Sequence, residues 1–184
     1  MTTIQNKLTK TLAFSGMALA LGYAASYIKI VSLPMGGSTT LFSMLFICLI
    51  GYWYGPKVGL MAAVAYGILQ FLQKPIANHP MQPFFDYIFA FGALGLTGFF
   101  NKRKNGLLIG YIVAVTARFI FHFFSGLIFF TDYTEISLAG ASVASFSYNL
   151  TYLLPEAIIT IVILFLPPVK AAMSKVKQLA GAGS

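Results

Sequence analysis

Acidic side chains are nearly missing from this chain of 184 residues: four Asp+Glu stand against 12 Lys+Arg, a formal net charge of +8. Charge of either sign is scarce, at 9% of residues, where a soluble domain carries roughly 25%. A surface so poor in charge excludes a soluble enzyme, a disordered tail and a water-soluble nucleic-acid binder. Cysteine is reduced to Cys48, which excludes an internal disulfide framework and a Cys-based zinc site. The chain lacks the G-x-x-x-x-G-K-[ST] of a P-loop, so it hydrolyses no ATP through such a loop of its own. Neither His79 nor His122 belongs to an H-E-x-x-H pair, and Ser125-Gly126 is not part of a G-x-S-x-G elbow. The expectation is a protein that is not an enzyme and carries no metal or cofactor.

What fills the chain is apolar: 58% hydrophobic and 16% aromatic residues, with a mean hydropathy of +0.82. A helical span needs roughly 20 mostly apolar residues. Runs bounded by charge or by Gly and Pro predict six spans, at about 11–31, 39–54, 58–73, 82–100, 106–130 and 148–167. The expected fold is an all-α membrane protein, a six-transmembrane-helix bundle with short loops in one domain over 1–184. The segment 32–38 reads as an outer gating loop. With six spans, one side holds Lys7, Lys10, Lys57, Lys102, Arg103, Lys104, Lys170, Lys175 and Lys177, and the other only Lys29 and Lys74. The positive-inside bias then places both termini in the cytoplasm, and the basic rim faces anionic headgroups of the lipid bilayer.

Ionisable groups at membrane depth are costly and usually face a cavity or a partner. Asp86, Arg118, His122 and Glu156 remain once the loop cations are removed, with Gln70, Gln82 and Asn149 among the amides. All but Arg118 fall in the outer leaflet of the predicted topology, which describes a pocket open to the outside. Arg118, His122 and Ser125 recur at i, i+4, i+7 on one helix face, extended by Phe129, and Tyr66 with Gln70 at i, i+4. Carboxylates among aromatic rings favour a cation. Other readings stay open: an Arg118–Asp86 clasp, a helix-to-helix bond from His122, and a helix-start role for Glu156 after Pro155. In the first span Gly16, Ala20 and Ala24 recur every four residues, a small-residue stripe that allows close helix approach.

Several stretches, in order along the chain, carry a family resemblance: Leu33-Pro34-Met35-Gly36-Gly37-Ser38, His79-Pro80-Met81-Gln82 with Asp86-Tyr87, Arg118 with His122, Ser125 to Phe130, and Ser147 to Tyr152. The chain resembles the thiamine-specific substrate-binding subunit (S-component) of energy-coupling-factor (ECF) transporters. The resemblance implies a six-helix fold that binds thiamine from outside a prokaryotic plasma membrane. It also implies a transmembrane coupling subunit and two ATPase subunits as partners, ATP being used only by the latter. Its implied substrate-binding residues are Asp86, facing the cationic part of thiamine, with Tyr87, Arg118, His122, Asn149 and Phe130. The residue reading adds Tyr66 and Gln70. Phe130 stands where some members have a stacking Trp, and Ala144 where a binding Tyr is common; Phe146 or Tyr148 is the expected substitute. Gly16, Ala20 and Ala24 fall where the coupling subunit would touch. The alternatives are a thiamine precursor or another heterocyclic vitamin as ligand, or a stand-alone cation facilitator.

Overall fold

A computed structural model describes residues 2–133 and 136–181, without the side chains of residues 2, 3 and 130–133. The chain forms α1 (Thr2–Tyr27), a hairpin of β1 (Lys29–Ser32) and β2 (Ser38–Thr40), α2 (Ser43–Tyr54) and α3 (Pro56–Gln73). There follow α4 (Phe84–Phe100), α5 (Gly106–Tyr133), α6 (Leu138–Phe165) and α7 (Pro167–Leu179). Among the described residues, α5 and α6 are the helices long and apolar enough to cross a membrane by themselves. Large apolar side chains such as Met61, Leu72, Phe99 and Val143 are exposed, as expected of a membrane protein whose outer solvent is lipid.

The core is built where small residues let backbones meet. A Cβ on Gly59 would lie 2.6 Å from Gly51 Cα, one on Gly95 2.5 Å from Leu60 N, and one on Gly98 2.5 Å from Gly55 C. Glycines thus set the crossing of α2, α3 and α4. Gly55, at φ 84°, makes the sharp corner between α2 and α3, and Pro56 opens α3 at a position that tolerates a missing N–H. Met44, Ile47, Ile50, Leu94 and Tyr111 are fully buried around this crossing. Trp53 lies at its edge, with Phe14 and Tyr54 set edge-on against it.

Four features differ from the hydropathy reading. The run 11–31 is not one helix: α1 stops at Tyr27, and 29–32 pair antiparallel with 38–40 in register Lys29↔Thr40, Val31↔Thr39 and Ser32↔Ser38, so the expected span 39–54 is helical only from Ser43. The β-branched residues Ile30 and Val31 suit a strand as well as an apolar helix. Second, α6 begins at Leu138, ten residues before the predicted 148, because Ala and Ser between 139 and 147 are small but not strongly apolar. Ser137 caps it, its hydroxyl accepting from Gly140 N at 3.2 Å. Third, α4 is not uniform: Phe84–Phe89 is a π-helical turn, and Ala93–Phe100 winds as a 3₁₀-helix.

Fourth, the amphipathic α7 escapes a hydropathy scan. It follows the break at Leu166-Pro167 and turns Val169, Met173 and Val176 toward the bundle. Lys177 Nζ donates to Asn101 O at 2.8 Å and sits 3.9 Å from the Tyr52 ring centre. Partial burial lowers the pKa of this ammonium below the ordinary lysine value.

Candidate binding pocket

A cavity of about 510 Å³ opens beneath the hairpin, within the range of small-molecule sites. Its walls come from α3, α4, α5 and α6, joined by Ser26 of α1, Ser43 at the start of α2 and the loop 74–78. Met35, Gly36, Gly37 and Ser38 form its roof together with the loop 74–78, which meets them at Ile76. The turn is tight, with Leu33 N donating to Gly37 O at 2.8 Å, and Met35 and Gly36 in the left-handed region at φ 59° and 101°.

Asp86 sits on the π-turn of α4, where one extra residue per turn re-aims side chains. Its Oδ1 is 3.0 Å from His122 Nδ1, and its Oδ2 accepts from Gln82 Nε2 at 3.2 Å. Arg118 Nε donates to His122 Nε2 at 3.3 Å. Since Nε2 accepts, a neutral imidazole carries its proton on Nδ1, aimed at Asp86. His122 therefore stands between Arg118 and Asp86, and the acid's partner is the imidazole N–H, through a hydrogen bond. The Arg118 guanidinium lies 4.0 Å from the Phe91 ring centre, a cation–π contact that accommodates a charge left 8% exposed.

Asn149 is equally committed: its Nδ2 donates to Ser145 O at 2.9 Å, and its Oδ1 accepts from Tyr152 OH at 2.7 Å. Tyr66 is fully buried, with its hydroxyl on Gly22 O at 3.2 Å. Among the described residues, Gln70 Nε2 is buried without a hydrogen-bond partner. The structure thus brings Asp86, Tyr87, Arg118, His122, Asn149, Tyr66, Gln70 and Tyr148 to one cavity. The side chain of Phe130 lies outside the described residues. Ala144 is exposed and outside the lining, whereas Tyr148 and Tyr152 are in it.

Glu156 is also in the lining, yet Pro155 before it lies inside α6 rather than at a helix start. The helix start it serves belongs to α2. Glu156 accepts from Thr40 N at 3.2 Å, Thr40 Oγ1 at 2.8 Å, Ser43 Oγ at 3.3 Å and Met44 N at 3.1 Å. A carboxylate there satisfies otherwise unpaired amides and suits the positive helix end. Sequence reasoning missed Phe91, Tyr152 and Gln73 as lining residues. Phe91 and Tyr152 read as ordinary apolar helix positions, and only the i, i+4 placement of Tyr152 after Tyr148 hinted at a shared face. On α1, Gly16, Ala20 and Ala24 are exposed, while Ala18, Gly22 and Ala25 are buried.

Comparison with known proteins agrees with this architecture. The "Thiamine transporter protein" family profile matches residues 12–176. This chain belongs to the thiamine transporter family. Thiamine transporter ThiT of Bacillus subtilis (strain 168) is 33% identical over 150 residues, covering 74% of this chain and 77% of that protein. A solved structure of ThiT from Listeria monocytogenes superposes with a TM-score of 0.62 at 22% identity, covering 90% of this chain and 97% of that one. The latter likeness establishes the fold. Membership in the family makes the chain a membrane transport protein and not an enzyme.

Proposed function

We propose that the chain is the thiamine-capturing S-component of an ECF-type importer, binding its substrate in the cavity beneath the hairpin. The observation that carries this reading is Asp86, an acid at the cavity wall, oriented by His122, in a cavity also lined by the rings of Tyr87, Phe91 and Tyr152. A thiazolium ring offers both properties such a site rewards, a positive charge and flat aromatic faces. The lining away from the exposed Lys29 and Lys74 holds two formal negative charges, Asp86 and Glu156, and one positive, Arg118. Tyr66, Gln70 and Tyr148 complete the proposed contacts, and Phe130 follows on α5.

Six spans with both termini in the cytoplasm are part of the same proposal. Tyr54 OH, with one proton to share, lies 3.0 Å from Ala180 O and 3.4 Å from Lys10 O, and Lys177 reaches Asn101. The predicted cytoplasmic segments therefore gather at one end of the bundle, opposite the cavity roof. The exposed stripe Gly16, Ala20 and Ala24 is the proposed contact for the coupling subunit, with two ATPase subunits supplying the energy. The chain itself would need no cofactor.

Calorimetry of the purified protein against thiamine, its phosphates and its separate pyrimidine and thiazole halves tests the ligand. Saturable one-to-one binding of thiamine without ATPase partners is expected. Absence of thiamine binding, or tighter binding of the uncharged pyrimidine half, overturns the proposal. Liposomes holding the chain alone should accumulate no thiamine; uptake would instead identify a facilitator.

A further inference from the structure

The cavity roof consists of two outer loops, and each is held by one tyrosine hydroxyl in the same way. Gly37 N donates to Tyr148 Oη at 2.8 Å, and that hydroxyl donates to Pro34 O. Ile76 N donates to Tyr87 Oη at 3.2 Å, and that hydroxyl donates to Lys74 O at 2.6 Å. A phenol has one proton and accepting lone pairs, so each ring staples a backbone amide and a nearby carbonyl of its loop. The loops meet above the cavity, where Gly36 lies against Ile76.

The fit on the Tyr148 side is specified from both partners. A Cβ on Gly37 would come within 2.7 Å of Tyr152 Cδ1 and 2.8 Å of Tyr148 Oη. The backbone of Gly37 is otherwise ordinary, at φ −59° and ψ 137°. Glycine is required there for room and not for conformation. At the base of the same loop, Thr39 Oγ1 donates to Tyr152 O at 3.0 Å, and Glu156 holds Thr40. That root stays anchored while the turn 33–38 is fastened chiefly by Tyr148.

We propose that Tyr148 and Tyr87 are paired latches whose hydroxyls hold the two roof loops shut and set the rate at which ligand leaves. They are positioning residues in this role, acting through the loops. The kinetic part rests on the proposed ligand, and the latch itself does not.

Tyr148→Phe and Tyr87→Phe keep the rings and remove only the staples. Amide hydrogen exchange on the unliganded protein in nanodiscs should quicken about tenfold at Gly37 in the first variant and at Ile76 in the second. Amides elsewhere that exchange by local opening should keep their rates. A chase of bound labelled thiamine should then show release about tenfold faster. Gly37→Ala, which retains both hydroxyls but crowds the contact, should reproduce the Tyr148→Phe kinetics and serves if that variant folds poorly.

Unchanged exchange at Gly37 and Ile76 refutes the latches. Faster exchange with unchanged release, or a loss confined to association, refutes their control of ligand escape. If wild-type protein binds no thiamine, the ligand proposal fails, and the exchange measurement still decides whether the hydroxyls hold the loops.

Discussion

Replacing Asp86 with Asn removes one formal charge from the cavity while conserving shape. The amide oxygen can still accept from His122 Nδ1, which now lies 3.0 Å from Oδ1, but its NH₂ group would face the Gln82 amide in place of the 3.2 Å bond to Oδ2. Two unit charges about 5 Å apart at an effective dielectric near 20 attract by roughly 3 kcal/mol. The Asp86 side chain is 22% exposed, so solvent screening reduces the share felt by a bound cation to about 2 kcal/mol. Affinity for thiamine should therefore fall roughly thirtyfold. Calorimetry on wild-type and variant protein measures this directly. The uncharged pyrimidine half is the internal control, because it has no positive ring to lose attraction and its affinity should hardly change. The electrostatic reasoning is refuted if thiamine affinity is untouched, or if both ligands weaken equally.

The remaining predictions concern other parts of the molecule. Gln70→Met deletes a buried amide whose Nε2 has no partner, so the unliganded protein should be stabilised by about 1 kcal/mol; thermal unfolding reads the gain, and calorimetry should show weaker thiamine binding. Glu156→Gln replaces an acceptor of four hydrogen bonds with a group that must donate from one end, at a cost of about 2 kcal/mol, measured as a lowered Tm. Gly59→Ala forces a methyl to within 2.6 Å of the Gly51 backbone and should cost about 3 kcal/mol or prevent folding, seen in the yield of monodisperse protein. Ala20→Leu on the exposed face of α1 should leave thiamine binding intact while abolishing uptake in cells that supply the partner subunits.

Much of the cavity was legible in the sequence because polar groups at membrane depth need a reason to be there. Asp86, Arg118, His122 and Asn149 stand out against apolar runs, and the i, i+4 spacing of Arg118 and His122 already places both on one face. Their pairing was less legible. An Arg–Asp contact is the simplest way to compensate two charges, but Phe91 stabilises the guanidinium from its ring face, which leaves His122 to hold Asp86. The role of Tyr148 was equally hidden: a tyrosine near a helix end signals an interfacial belt as readily as a staple on a distant turn. Secondary structure failed where composition is ambiguous. Ile30 and Val31 serve a lipid-facing helix or a strand alike, the Ala- and Ser-rich start of α6 has weak hydropathy, and α7 buries only one stripe.

The widened turn at Phe84–Phe89 bears on how this chain should be aligned and engineered. One surplus residue offsets everything on its loop side by about a hundred degrees from where an unbroken spiral would put it. Asp86 can thus look into the cavity while the 3₁₀ stretch beyond keeps its glycines against α2 and α3. Excising a single amino acid there would straighten the rod without necessarily unfolding it, and would swing the acid out of line with His122. A pairwise alignment that opens a one-residue gap anywhere near Asp86 would misassign the same carboxylate.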